Sequence, residues 1–518
     1  MASQRGEVRI EMNAAARPQR APAREATPDE PFRILVLADL SGRRATDRRD
    51  AQGSDGRRSV PIDRDDFDAV MARCEPRLKL RLGANGGTEV ALAFATLDDF
   101  HPDALFRRVP VFARLRDLRD RLLDSRTSAA AMAECKGSIA GAASAAPVAE
   151  SRAVAEDSQQ FSGSLLESAL QAAESGAAGG ASDAGLLDRL AQELIAPFLL
   201  PRPDPRLADF VADVERAIGE LMRSLLTAPA FRELEAAWRG LYLLTSRIET
   251  DRQLQIHVLD VSKDRLSAPP VDGIDSEASA LAWQRIAGAI GVDGETPVAL
   301  VVGAWSFADD LTDVALAERL AATCSRVGAA FVGAAAPGLY GCPGLSVGAD
   351  PDDWGRPIER AVADAWAALR ARPEAAGVGL VAPRFLLRLP YGQRSSPTTE
   401  FPFEEESPQG GHEELLWGNG AFLLALVIAE AFRDSGWRLQ LQSHEEVAGL
   451  PLHIRRNDGD SVVVPVAEVE LTSVGAERMG RHGVMPLFSV RGSDAVRFGS
   501  FRSIAASGGP LVGRWRLA

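Results

Sequence analysis

The sequence predicts an α/β (α+β) protein: a small N-terminal unit with a hairpin and a long helix, a flexible linker, and a larger mixed α/β core. Three observations carry that expectation. Between residues 254 and 370 short apolar runs alternate with amphipathic stretches, the pattern of strand–helix units with parallel pairing. Two period-2 runs flank an Asn-Gly turn at residues 85–86, a hairpin signal. Residues 128–183 are rich in Ala, Gly and Ser with little apolar period, as in a linker. The expected division is a disordered tail at 1–30, a first folded unit at 31–127, the linker at 128–183 and a core at 184–518.

In chain order, RILVLA (Arg33–Ala38) is an apolar run fitting a buried strand, left through Asp39-Leu40-Ser41-Gly42. The mixed Arg, Asp and Gly stretch up to Ser59 reads as a surface loop. Asp65–Arg73 has room for one or two helical turns, with Phe67, Val70 and Met71 on one side. Leu78, Leu80 and Leu82 alternate before the turn, and Val90, Leu92 and Phe94 after it. Leu105, Val109, Phe112, Leu115, Leu118 and Leu122 then recur at helical spacing, predicting one long helix with an apolar stripe that must dock on something. A short helix is expected at Leu165–Ala172 within the linker.

The core opens with two helices, one carrying Leu207 to Leu225, the other Phe231, Leu234, Trp238 and Leu241 after Pro229, a residue suited to a helix start. Leu254–Val261, Val298–Ala304 and Ala329–Ala334 read as strands, Asp313–Val327 and Ile358–Leu369 as helices. In PRFLLRLPYG, alternation puts Phe385, Leu387 and Leu389 on one strand face and Arg384, Leu386 and Arg388 on the other. An acidic loop ending FPFEEE follows, then Gly420–Phe432, apolar on nearly every side and thus a buried helix, stopped at Gly436. Beyond Trp437 strands are expected at Leu439/Leu441, Leu452/Ile454 and Val462–Leu471.

A formal charge of −14 and a pI near 5.1 argue against nucleic acid or an anionic membrane as partner. Only Lys79, Lys136 and Lys263 are lysines, an imbalance read as codon composition rather than chemistry. Cys74, Cys135, Cys324 and Cys342 lie far apart with no CxxC, so neither a disulfide framework nor a zinc site is expected. There is no apolar h-region at the start and no run of about 18 apolar residues, so no secretory signal and no membrane insertion are expected. The expectation is a soluble, reduced, cytoplasmic protein.

Several fragments tempt a catalytic reading. GAAAPG (Gly333–Gly338) has glycines at phosphate-loop spacing but lacks the following Lys-Ser/Thr, and reads as a strand end and turn. His412-Glu413-Glu414 and His444-Glu445-Glu446 lack the second histidine of a zinc helix. Asp98-Asp99 and Asp350–Asp353 are read as caps or solvated turns. There is no GxSxG, and Cys324 sits on an apolar helical face. The strongest polar constellation is Arg384 and Arg388 with Glu404, Glu405 and Glu406. The arginines either hold an anionic ligand bidentately or pair with these glutamates, and the ion-pair reading is preferred because complementary charge lies close in sequence. No catalytic residue, cofactor or metal is expected.

Longer motifs add a resemblance. FRELEAAWRGLYLL (Phe231–Leu244), LQIHVLDVSKDRL (Leu254–Leu266), PRFLLRLPYG (Pro383–Gly392), FPFEEE, LLWGNGAF (Leu415–Phe422), FRDSGW (Phe432–Trp437) and VAGLPLH (Val447–His453) resemble, in order and spacing, the large subunit of the type VI secretion contractile sheath (VipB/TssC). PFRILVLADLSG (Pro31–Gly42), VPIDRDDFDAVM (Val60–Met71) and LDDFHPDALFRRVPVFARLRDLRDRLL (Leu97–Leu123) are similar to the small subunit (VipA/TssB). The whole looks like a natural fusion of the two.

The resemblance implies a mechanical role with no active site. Sheath subunits polymerise around an inner tube of Hcp protein on a baseplate, contract to drive effector delivery, and are recycled by a ClpV-type AAA+ ATPase. In the family the large subunit continues well past the GVMPLFSVRGSDAVRF stretch (Gly483–Phe498) with a segment used in strand exchange; nothing after Phe501 resembles it. Two readings follow: a minimal sheath protomer, or a sheath-like accessory such as a cap, baseplate adaptor or assembly regulator. An anion-binding α/β enzyme using Arg384 and Arg388 is the remote third.

Overall fold

The computed structural model describes residues 26–42, 59–82, 88–124, 126–128, 130–132, 207–267, 274–292, 296–345, 350–407, 410–457 and 460–517. The expectations for most of the tail, the loop before Ser59, the turn at 83–87 and the linker with its Leu165–Ala172 helix lie outside these residues.

The organising element is β1 (Phe32–Ala38), which is apolar on both sides because it lies inside a sheet covered on both faces. It pairs in parallel with β5 (Leu254–Asp260), setting Ile34 beside Ile256, and with β6 (Leu300–Phe307), setting Val36 beside Val302. The sheet continues through β7 (Ala330–Ala335), β8 (Val378–Ala382) and β15 (Val484–Ser489), all parallel. Antiparallel strands finish it: β2 (Val60–Pro61) at one edge, β16 (Val496–Phe498) and β12 (Glu446–Val447) at the other. The first and last thirds of the sequence thus contribute to one sheet of nine strands.

Alternation along β1 divides the core. Phe32, Ile34 and Val36 face a layer built by α4 (Leu207–Leu226), α5 (Pro229–Arg247) and α10 (Gly420–Ser435). Leu35 and Leu37 face α7 (Ile274–Ile290), α8 (Leu311–Ser325) and α9 (Arg360–Arg370). The α10 helix is buried on all sides as expected; Asn419 caps its start and Gly436, at φ 61°, ends it.

The N-terminal unit supplies α1 (Phe67–Cys74) and the hairpin of β3 (Arg77–Leu82) and β4 (Thr88–Ala93), whose leucines turn inward as alternation requires. Its long helix is broken. There are two, α2 (Pro102–Arg108) and α3 (Pro110–Leu123), with Val109 extended between them. Proline at 110 has no N–H to give and disfavours the helical region for its predecessor, which outweighs the continuous apolar stripe. The α3 helix packs on α4, where Arg119 Nε meets Glu215 at 2.9 Å.

Three more expectations need correction. The strand expected from Arg384 to Leu389 shortens to β9 (Phe385–Leu386), paired with β10 (Trp417–Gly418). Its faces do not divide by polarity, since Leu386 is as buried as Phe385, packed in a separate cluster with Leu415, Trp417 and Val464. After β11 (Arg438–Leu439), Leu441 begins a 3-10 turn instead of continuing a strand. The run expected from Val462 to Leu471 is a strand only as far as Val463, in the hairpin of β13 (Ile454–Asn457) and β14 (Asp460–Val463). Helices α6 (Lys263–Ser267), α7 and α11 (Ser473–Arg481) and strand β8 carried no expectation, and β17 (Arg516–Leu517) pairs β11.

Candidate functional site

Of the polar residues singled out in the sequence, Arg388 and Glu405 share one buried network and Arg384 enters a second, partly buried one. Arg388 is the centre of the first. Its Nε donates to Glu235 Oε1 at 2.8 Å, and its Nη1 and Nη2 donate to the Glu405 carboxylate at 2.7 and 2.9 Å. Nη2 also reaches Glu235 Oε2 at 3.3 Å, and Nη1 the Leu389 carbonyl at 3.1 Å. The five N–H groups of the guanidinium therefore have five acceptors. Glu235 in turn accepts from Arg239 Nε at 2.7 Å, and Arg239 Nη2 donates to the Tyr391 hydroxyl at 3.0 Å. The Arg388 guanidinium lies 4.1 Å from the centre of the Tyr391 ring.

Side-chain exposure here is 0% for Glu235, 2% for Glu405 and 9% for Arg388, so water does not screen the charges. Burial alone would lift the Glu235 carboxyl, but Arg388 and Arg239 outweigh it and hold the group below its usual range. Burial likewise works against the Arg388 charge, and Glu235 and Glu405 overcome it, raising its pKa well above normal. With two carboxylates and two guanidiniums the cluster is neutral and saturated. The Arg388 guanidinium at its centre has no N–H left for a ligand.

Arg384 goes elsewhere. It does not pair with the FPFEEE loop: its backbone N–H and Nε donate to Glu468 Oε2 at 3.2 and 2.9 Å, and its Nη2 donates to Oε1. His412 Nε2 lies 2.9 Å from the same carboxylate. The short length of β9 explains the separation, because the chain bends between the two arginines and strand alternation no longer aligns them. Burial would raise the Glu468 carboxyl, yet the hydrogen bonds from Arg384 and His412 prevail and bring it to about 2.

Glu404 also lies away from both arginines. Its Oε1 accepts from the Gln393 backbone N–H at 3.0 Å, and its carbonyl accepts from Arg223. Glu406 meets His453 and Arg455. The loop that holds these glutamates is clamped by the N-terminal unit. Asp103 of α2, buried at 6% exposure, accepts from Thr399 N and Oγ1 at 2.9 Å each and from Glu400 N at 3.1 Å. Phe106 packs on Phe401, ring centres 4.6 Å apart, and Arg119 Nη1 donates to the Glu400 carbonyl.

Sequence reasoning missed Glu235 and Glu468. Glu235 had left a signal: it lies four residues after Phe231 and three before Trp238, a carboxylate within an apolar stripe. The remaining candidates separate from one another. GAAAPG spans the end of β7 and a 3-10 turn beginning at Pro337. His412 and His444 stand apart on different turns, and among the described residues no group of three or more His, Cys, Asp and Glu could hold a metal. Burial pushes the Cys324 thiol up to about 12, far from a nucleophile's range. No described helix is long and apolar enough to cross a membrane.

Comparison with known proteins agrees with this geometry. A family model described as EvpB/VC_A0108, tail sheath N-terminal domain (VipB), matches residues 208–505, and one described as type VI secretion system, VipA, VC_A0107 or Hcp2, matches residues 18–150. The type VI secretion system sheath protein TssC1 of Pseudomonas aeruginosa is 29% identical over 298 residues, 56% of this chain and 60% of the relative. The sheath protein TssB1 of the same organism is 32% identical over 112 residues, 20% of this chain and 63% of the relative. The chain thus spans about 60% of the length of each curated relative it matches. Since the larger match extends over more than half of its residues, the chain belongs to the VipB tail sheath family of type VI secretion, and it joins a VipA-like stretch to that family's domain in one polypeptide.

Proposed function

We propose that the protein is a structural subunit of a type VI secretion contractile sheath, built as a single-chain counterpart of the small and large subunits. The observation that carries this reading is β1: a strand from the VipA-like stretch lies between β5 and β6 of the VipB-like stretch. Such a unit moves as one body under load, and the saturated Arg388 network braces it where the FPFEEE loop meets α5. Its function on this reading is mechanical, with no catalytic step. The 128–183 segment acts as a tether that fixes one-to-one stoichiometry and raises effective concentration. The partners are further sheath subunits, an inner tube of Hcp protein, the baseplate and a ClpV-type ATPase, all met in the cytoplasm.

The test is negative-stain imaging of the purified protein at rising concentration. Long tubes with a cogwheel cross-section are expected. Monodisperse particles that join tubes only when full-length relatives are added would instead identify a cap, adaptor or assembly regulator.

A further inference from the structure

The parallel strands run in the order β5-β1-β6-β7-β8, so the chain leaves β1 to one side for β5 and returns to its other side for β6. At such a switch point the connections after neighbouring strands diverge, opening a crevice at the carboxyl ends where open α/β sheets place ligands. This protein has a cavity of about 640 Å³ there. Asp39 after β1, Lys263 after β5 and Trp305 near the end of β6 line it, and Arg232 of α5, Trp417 and Asn419 close it. The volume falls in the range of small-molecule sites, roughly 300–1,000 Å³.

Two of these residues hold buried N–H groups with no acceptor among the described residues: Arg232 Nη2 and Trp305 Nε1. Among the described residues the rest of the Arg232 guanidinium donates to the backbone carbonyls of Leu226 and Glu413 and to no carboxylate. Lys263 and Asn419 are already engaged, with Asp313 and with the Trp305 carbonyl. An unmade buried hydrogen bond is among the more expensive local features a fold retains, and both of these belong to residues lining one cavity. Carboxylates border the cavity too, including Glu413, but the orphaned groups are donors, and what they lack is an oxygen.

We propose that the crevice binds a small oxyanion, a carboxylate- or phosphate-bearing molecule whose oxygens accept from Arg232 and Trp305. Bound there, it touches the end of β1, the end of β6 and the first turn of α5. It therefore fastens the VipA-like strand to the VipB-like core, and stabilises the folded state in proportion to its occupancy.

The experiment titrates the full chain with inorganic phosphate and with citrate against chloride of equal ionic strength, following tryptophan fluorescence and thermal unfolding. Saturation by at least one anion at millimolar concentration or below is expected, with a rise in Tm that chloride does not reproduce. Arg232→Met removes the charge and is expected to weaken binding by about tenfold or more. Trp305→Phe deletes one orphaned N–H and keeps the ring core, so it folds and separates loss of binding from loss of structure; a several-fold weakening is expected. Absence of saturation by either anion overturns the proposal, as does wild-type binding in both variants. The proposal is independent of tube formation, which the imaging above reads separately.

Discussion

Arg388 holds its position because each of its N–H groups has somewhere to go and each neighbouring carboxylate oxygen is used. Removing the guanidinium leaves Glu405 buried with only the Tyr391 backbone N–H, at 2.7 Å, and leaves Glu235 with Arg239 alone. Arg388→Met is accordingly expected to destabilise the fold by about 3–5 kcal/mol, measured by urea unfolding. Swapping charges between Arg388 and Glu405 will not restore stability, since a glutamate at 388 would face Glu235. The acid response has two windows. His257 is half-buried near Arg33, and burial first, then that charge, lowers its pKa to about 4. Its folded pKa lies below the ordinary 6.5, so stability falls as pH drops from 6.5 towards 4. Glu468, depressed from 4.5 to about 2, contributes stability above pH 4.5 that is lost as pH falls towards 2. Glu468→Gln should make the second slope shallower without removing it, because Glu235 is also held below its usual range, and should leave the first slope unchanged, in unfolding titrations between pH 7 and pH 2. At this scale the sequence made Arg388 and Glu405 legible, because they are only 17 positions apart, Arg388 just beyond β9 and Glu405 in the loop that follows. The partners supplied by distant helices and turns were not, since nothing local marks a separation of 153 residues.

Helix α10 was legible because its apolar residues cover every face, and only burial on all sides accommodates that pattern. Where it packs on α5 the fit is close. A Cβ added at Gly240 would lie 2.4 Å from the Phe422 ring, itself fully buried and unable to swing away. Alanine is worth about 1 kcal/mol over glycine inside a helix, but overpacking of this kind costs about 1–3 kcal/mol. Gly240→Ala is expected to lower Tm, and Phe422→Leu in the same chain to recover part of the loss. The break at Pro110 was written in the sequence as plainly as the apolar stripe that runs across it. The stripe misled because both short helices bury the same side, so periodicity survives a break that the backbone does not. Helix α7 gave no such stripe: alanine and glycine dilute its apolar face, and tertiary packing alone defines it.

At the scale of the whole molecule, local pattern established that β1 is a buried strand but not where it pairs. Its partners lie more than 200 residues away, across a segment with no period, and parallel neighbours share no turn that would fix their register. The sequence therefore reads as two bodies and a tether, whereas the fold has one sheet with a strand of the first body in its interior. Withdrawing β1 would open the edges of β5 and β6 together and expose Phe32, Ile34, Leu35, Val36 and Leu37, each buried completely. Apolar burial of that kind stabilises by about 1.5–3 kcal/mol per large side chain, and the Asp103 clamp and the Arg119–Glu215 pair add polar contacts along the same boundary. The covalent connection is thus expected to govern encounter and stoichiometry, while the sheet holds the parts together once folded. A protease site introduced within residues 133–183 tests this. After complete cleavage the two pieces should co-elute on size exclusion at nanomolar concentration and separate only in denaturant. They should refold together far more slowly than the intact chain, in proportion to the lost effective concentration. Dissociation of the cut pieces in native buffer would show instead that the tether, and not the shared sheet, keeps the unit whole.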